Sequence, residues 1–479
     1  MNWNKFLNAK RLRPSERDPD PRNDFESDFG RIIFSPAIRR MHDKTQVFPL
    51  TTDDNIHSRL THSLEVMALG HSLGLGLVDN EEFVLKTELD KASLLRQIPV
   101  ILKNACLVHD IGNPPFGHFG ETSIQNFFKD FFKDKDEENL KIQRLLKSNK
   151  LDNDEKEELK SKIFKLDYDN KTNDKLLKED FLHFDGNAQG FRVLTKLQVL
   201  DDPYGLNLTY GTLSSSLKYP NTGKLVKTKK NLKKRGVFQS EKKYLNQIAK
   251  DCGLKKQSEI IRHPLSFIME AADTICYRVM DIEDGYNMGW YSYEDIKGYL
   301  ISVNGLKEIF QKIENNEKIK SEVSRVVNLR IQLIRFLVDA TKETFLNNYD
   351  LICQGKYNYE LVEAGRGKEL EEKLKNFCGE YIFPKRNIQF LELTGESVLN
   401  GLLTYYTKYI FHENKNYRKR AKNLISKSTI RASRIENNDV SFEDLDNYYK
   451  LRVIVDFISG MTDQYAINHY QKLSGQKII

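Results

Sequence analysis

The sequence predicts an all-α protein with no more than a few short strands, and three observations carry that prediction. Apolar residues recur at helical spacing along Leu60–Leu73, Ile261–Met280, Val323–Phe345 and Val453–Tyr470. Strand-like alternation is scarce, and long apolar β-branched runs are absent. The 479-residue chain is 39% hydrophobic, enough to build the large core that such stripes would face.

Composition narrows the function classes before any motif does. Charged residues make up 30% of the chain and the formal net charge is +7. That balance suits anionic ligands such as nucleotides, phosphate or nucleic acid without choosing among them. No apolar run reaches the ~18 residues of a membrane span, so none is expected. Met1–Arg13 lacks the apolar centre of a signal peptide. Cys106, Cys252, Cys276, Cys353 and Cys378 are scattered without disulfide-like or metal-like spacing, which reads as a reducing, cytoplasmic setting.

Taken in chain order, Leu60, Leu64, Met67 and Leu73 mark the apolar stripe of a first long helix. Pro114-Pro115 breaks the chain and lets a new helix start, on which His118 and Glu121 share a face. In Lys129–Asp180, 29 of 52 residues are charged. Leu140, Leu145, Leu146, Leu159, Ile163 and Phe164 would give this segment a solvated helical hairpin. Short strands are expected at Asn207–Tyr210 and Val237–Gln239, and Lys224–Arg235 is a loop with seven basic residues. Asp273, Tyr277 and Asp281, spaced by four, fall along one stripe of a later helix.

Four residues point to chemistry: His62, the adjacent pair His109–Asp110, and Asp273. They lie in three separate apolar-flanked segments, where a helix would otherwise bury an apolar side chain. Burying unpaired charge is expensive, so a shared cation is a natural partner. Imidazole nitrogens with carboxylate oxygens suit a divalent ion such as Mn2+, Fe2+, Co2+, Ni2+ or Zn2+. Arg59, three residues before His62, shares its helix face and could reach a phosphate on that ion.

The H…HD…D pattern resembles the HD metal-dependent phosphohydrolases, and the surrounding words resemble their bacterial dGTP triphosphohydrolase family. These words are Asp28–Ser35, Asp43–Leu50, Arg59–Glu65, His109–His118, Asp185–Arg192 and Ser459–Asp463, collinear from about residue 24 to about 470. The resemblance implies a mainly helical HD-domain fold. It also implies hydrolysis of a deoxynucleoside triphosphate, dGTP foremost, to the nucleoside and tripolyphosphate. His62, His109, Asp110 and Asp273 would hold the ion, Mn2+ or Mg2+, with Co2+ and Ni2+ as alternatives. His118 and Glu121 would be the catalytic pair, protonating the 5′-oxygen or managing the water; both roles stay open. Gln46 and Val47 would contact sugar and base. Asn187, Lys218 and Lys234 would contact phosphates, with Lys233 or Arg235 as alternatives to Lys234. Tyr277 would press on the sugar C2′, where a ribose hydroxyl would clash, and Asp281 would accept from the 3′-hydroxyl. Glu392 and Arg418 are further candidates for the base or phosphates.

The expected division is a catalytic core at 1–128 and 181–300 and a charged helical insertion at 129–180. A C-terminal helical region at 301–479 would complete the nucleotide site and the oligomer contacts. The family implies a homo-oligomer, a hexamer before a tetramer. Competing readings are a broad dNTP hydrolase, a 5′-deoxynucleotidase, an alarmone hydrolase, and a regulatory protein that binds single-stranded DNA through the basic loop. The other histidines, including His57, His263 and His469, are expected to be structural.

Overall fold

Two helices frame the protein. Ser58 caps the first, Arg59–Asp79, its hydroxyl accepting from the Thr61 amide while the Thr61 hydroxyl accepts from the Ser58 amide. It packs most extensively on the second, Lys91–Val108. The buried face of Arg59–Asp79 is Arg59, His62, Ser63, Val66, Gly70, Leu73, Gly74 and Leu77. The stripe expected from Leu60, Leu64, Met67 and Leu73 is therefore displaced: Leu64 is exposed, Leu60 and Met67 are half-buried, and only Leu73 is fully inside. Small residues win that face because the two helices approach closely, and hydrophobicity alone does not register them.

In this computed structural model the described residues are 2–14, 20–47, 56–147, 151–167, 173–198, 202–256 and 259–477. Among them the architecture is α-helical, and the strands are confined to the antiparallel pair Lys255–Lys256 and Glu259–Ile260. Neither strand expected from the sequence forms. At Asn207–Tyr210 the backbone turns through positive φ at Asn207 (48°), and only Thr209 bridges, to Arg11, before the helix Tyr210–Ser215 begins. Val237 and Phe238 are fully buried anchors that lead into a short 3-10 turn.

The helix Pro264–Asn287 packs on both framing helices and on Glu322–Asn347. A helix begins at Gly117, as the proline break implied, and runs to Leu146 against Arg386–Ile410. It passes through residue 129 without a break, and Asp174–Leu182 likewise passes through residue 180. The charged segment is partly solvated, with Leu140 and Leu145 exposed, but Phe132, Leu166 and Leu177 are buried. The expected helix over Val453–Tyr470 is two helices, Asn447–Ser459 and Asp463–Leu473, joined through Gly460–Thr462.

Apolar burial is divided between two clusters. One gathers the N-terminal, framing and central helices, Ile111 and Ile388 included; the other gathers Phe116, Phe128, Phe132, Phe181, Leu399 and Ile458. The chain crosses from the first to the second within Ile111–Phe116. The segment that carries His109, Asp110 and the start of the His118 helix therefore lies on the seam between the cores.

Candidate active site

His109 follows directly on the last turn of Lys91–Val108, and its Nδ1 donates to the Cys106 carbonyl at 2.7 Å. That bond leaves Nε2 as the lone-pair nitrogen of the neutral ring. His109 Nε2 is buried without a hydrogen-bond partner. It stands 3.2 Å from Asp273 Oδ1 and 3.6 Å from Asp110 Oδ1. His62 Nε2 is also 3.2 Å from Asp273 Oδ1. Donor atoms of His62, His109 and Asp110 lie within 4.8 Å of one another, and Asp273 flanks them.

This donor set fits a divalent cation. Burial opposes charge on His109, yet Asp110 and Asp273 outweigh it and raise its pKa, so the cluster calls for positive charge. Burial would also neutralise the two carboxyls. At Asp110 the His109 and Arg59 charges prevail, and at Asp273 those of Lys218 and His109, holding both below the ordinary carboxylate range. All four residues expected as ligands are thus brought together, two as imidazoles and two as ionised carboxylates.

The cluster borders a cavity of about 390 Å3 whose lining includes Gln46, Val47, Arg59, His118, Asn187, Lys218, Lys234 and Tyr277. A larger cavity of about 760 Å3 lies against Ile111 and Gly112, just after the His109–Asp110 pair, and none of the four ligand candidates lines it. The chemistry belongs to the smaller one.

The basic residues expected on phosphates are held by carboxylates here. Arg59 donates through Nη1 to Asp110 Oδ2, and its Nε is buried without a partner. Lys218 donates to Asp273 Oδ2, and Lys234 pairs with Asp185 at 2.8 Å. Asn187 Nδ2 donates to Asp185 Oδ1 at 2.7 Å. Each keeps a face on the cavity, so an incoming anion would meet cations already aimed and charge-balanced. Gln46 Oε1 is buried without a partner, a site for a donor from a ligand. Lys233, one of the alternatives to Lys234, does not line the cavity, and Arg235, the other, is spent on Glu179 and Asp180.

His118 Nδ1 lies 3.0 Å from Glu121 Oε2, and the other Glu121 oxygen accepts from the Gly186 amide. The His118 side chain is 78% exposed, whereas Glu121 is buried. The hydrogen bond and charge of Glu121 lift His118 above the usual imidazole range. Burial works against the Glu121 charge, but His118 outweighs it and keeps that carboxyl low. The helix can start here because Gly117 takes φ +60°; a Cβ on it would sit 2.5 Å from Arg59 Nη2.

Asp281 and Arg418 also fall outside the cavity. Asp281 is buried beyond Tyr277, with Oδ2 unpartnered; burial and the neighbouring Asp284 raise its pKa far above normal. At 3.6 residues per turn, eight residues rotate a side chain by about 80°, so the stripe Asp273–Tyr277–Asp281 turns away from the cavity before its end. Arg418 donates instead to the carbonyls of His412 and Glu413. Glu392 does line the cavity, half-buried and with its pKa raised by burial.

Sequence reasoning missed several residues. Asn113 donates to Asp110 Oδ1 at 2.8 Å and steadies that ligand; its place three residues after Asp110 was the available signal. Glu270 lines the cavity one turn before Asp273, and Glu360 and Glu363 form an acidic wall from the C-terminal half. Glu270 is paired with Arg262 at 2.8 Å and with Lys230 at 3.4 Å. The word Asp185–Arg192 owes its residues to what lies below the site. Arg192 is fully buried among Glu241, Glu436 and Asp456, and Gln189 donates to Asp456 at 2.9 Å.

Residues 59–166 match the HD domain, and residues 365–472 match the phosphohydrolase-associated domain. The chain is 34% identical to a deoxyguanosinetriphosphate triphosphohydrolase-like protein of Listeria monocytogenes, over 99% of this chain and 100% of that one. A protein of the same description from Synechocystis is 33% identical over 99% of each chain. A deoxyguanosinetriphosphate triphosphohydrolase of Salmonella paratyphi A is 32% identical over 94% of this chain and 93% of its own. With such likeness over nearly its whole length, the chain belongs to the deoxyguanosinetriphosphate triphosphohydrolase-like family of HD-domain phosphohydrolases.

Proposed function

We propose that this protein hydrolyses deoxynucleoside triphosphates, dGTP first, to the nucleoside and tripolyphosphate. One observation carries the reading: Asp110 and Asp273 of the donor set, the basic side chains of Arg59, Lys218 and Lys234, and His118, which is paired with Glu121, line one cavity. A divalent ion, Mn2+ or Mg2+ with Co2+ and Ni2+ as alternatives, would be held by those four residues and would supply Lewis acidity and a more acidic water.

The chain's own groups account for the rest. Arg59, Lys218 and Lys234 neutralise the triphosphate, and Asn187 donates to it. A water oxygen bonds to the α-phosphorus and releases a proton to solvent as the bond from phosphorus to the 5′-oxygen breaks. Protonated His118 delivers its Nε2 proton to that oxygen, while Glu121 holds Nδ1 and raises the basicity of the ring. Tyr277 packs on C2′, and Gln46 Oε1 accepts from the sugar. Glu392 favours guanine, whose N1–H and N2 amino donors suit one carboxylate.

We place the catalytic core in 1–128 and 181–300, with 129–180 as a charged excursion. The 301–479 region then completes the nucleotide site, supported by Glu360, Glu363, Phe383, Ile388 and Glu392 in the cavity wall. We take the protein as a homo-oligomer, a hexamer before a tetramer; exposed Phe390 and Leu393 support a self-contact but not its number. Buried, unpaired cysteines fit the cytoplasm, and no described helix is long and apolar enough to cross a membrane. Single-stranded DNA binding finds less support, because Lys229, Lys230 and Arg235 of the basic loop are paired with carboxylates and do not line the cavity.

The test is turnover of each dNTP and of GTP by metal-stripped protein, with and without Mn2+ or Mg2+, followed by anion exchange. Deoxyguanosine and tripolyphosphate, abolished by chelator, are expected. A monophosphate with pyrophosphate, or no turnover of any dNTP, overturns the reading.

A further inference from the structure

We infer that Asp463 and Lys44 form a clasp that sets the spacing between the two walls of the cavity, which makes Asp463 a positioning residue for the proposed reaction. The role in catalysis rests on that proposal; the clasp itself rests on hydrogen bonds. Asp463 is 2% exposed. Its Oδ1 accepts from the Phe116 amide at 3.0 Å, and its Oδ2 accepts from the Thr45 amide at 3.0 Å and from the Thr45 hydroxyl. Lys44 Nζ, also buried, donates to the Asn113 carbonyl at 2.6 Å and to the Ser459 carbonyl at 2.8 Å.

The geometry shows what these bonds separate. Gln46 follows Thr45 directly, and Thr45 is bridged to Ser58 at the cap of the His62 helix. Phe116 precedes Gly117 and His118, and it has φ +62°, a sparsely populated conformation that persists only where the surroundings hold it. One carboxylate near the end of the chain therefore fastens the residue before the sugar-side Gln46 and the residue two before His118. Three donors converge on it, so both of its oxygens must accept. An amide of the same shape would present a donor to one arm, which breaks one arm and keeps the volume.

The experiment compares wild type with Asp463→Asn and Thr45→Ala, loaded with Mn2+ and fully folded at the assay temperature, by steady-state kinetics on dGTP and by hydrogen exchange. Asp463→Asn is expected to raise KM and lower kcat, reducing kcat/KM at least about 10-fold, since sub-ångström misplacement is felt at the reacting centre. Thr45→Ala, which removes the hydroxyl and the methyl beside it but keeps the amide arm, is expected to shift both in the same direction by less. Amides in 44–47 and 113–120 should exchange faster together in Asp463→Asn, while those in 66–77 stay unchanged. A purely structural role would reduce the active fraction at constant KM, and that result overturns the inference, as does loosening of one segment alone or of the whole protein. If wild type turns over no dNTP, the proposed function fails, and the paired exchange pattern still decides the clasp.

Discussion

Lys218 donates from Nζ to Oδ2 of Asp273, the carboxylate oxygen opposite the one that stands 3.2 Å from both His62 and His109. The pair joins the donor cluster to the basic residues of the cavity wall. Burial would strip the charge from Lys218, but Asp273 and Glu270 outweigh it and keep the ammonium protonated well above its ordinary range. Lys218→Met should therefore lower kcat/KM for dGTP about 100-fold, the scale for losing one preorganised donor. Steady-state kinetics beside a Mn2+ titration check this; unchanged kinetics would remove Lys218 from the site.

The His118–Glu121 pair makes a prediction about rate and one about pH. His118→Asn should lower kcat by about 10²–10⁴-fold. If His118 acts as the acid, Glu121→Gln moves the alkaline limb of kcat to lower pH, because the group that raises the imidazole pKa is gone. A limb that stays put would separate Glu121 from proton transfer.

Tyr277 lines the cavity on the helix of Asp273, its hydroxyl accepting from Arg278 Nη1 at 2.5 Å. Tyr277→Ala should narrow the preference for dGTP over GTP about 10-fold, in the range for one lost steric contact. Tyr277→Phe keeps the ring and should keep the preference. Parallel kcat/KM measurements on both nucleotides check this.

His57 carries a stability prediction. It lies 2.7 Å from Asp284 Oδ1 and 3.0 Å from Glu65 Oε1; burial opposes its charge, yet these carboxylates raise its pKa from 6.5 to about 10. A raised imidazole pKa contributes stability that is full below 6.5 and lost as pH rises through about 10. Thermal unfolding of wild type should therefore lose ground to His57→Gln between about pH 7 and pH 10. Parallel curves would contradict the assignment.

The parts of the candidate site carried by local spacing were legible in the sequence: the candidate ligands in apolar segments, the His118–Glu121 face, and the Asp273–Tyr277 stripe. Long-range pairing was not. Nothing near Asp463 announces that it receives the amides of Thr45 and Phe116, and nothing near Glu360 announces that it shares Lys230 with Glu270. The buried face of Arg59–Asp79 was misread because glycine, serine and histidine occupy it, which a hydrophobic pattern does not count. The two expected strands failed for a related reason, since apolar β-formers such as Val237 serve as anchors between helices.

The most direct test of the central claim is turnover of dGTP with Mn2+ in oxygen-18 water, with both products read by mass spectrometry. Attack at the α-phosphorus predicts label in tripolyphosphate and none in deoxyguanosine. Label in the nucleoside, or dGMP in place of deoxyguanosine, would contradict it.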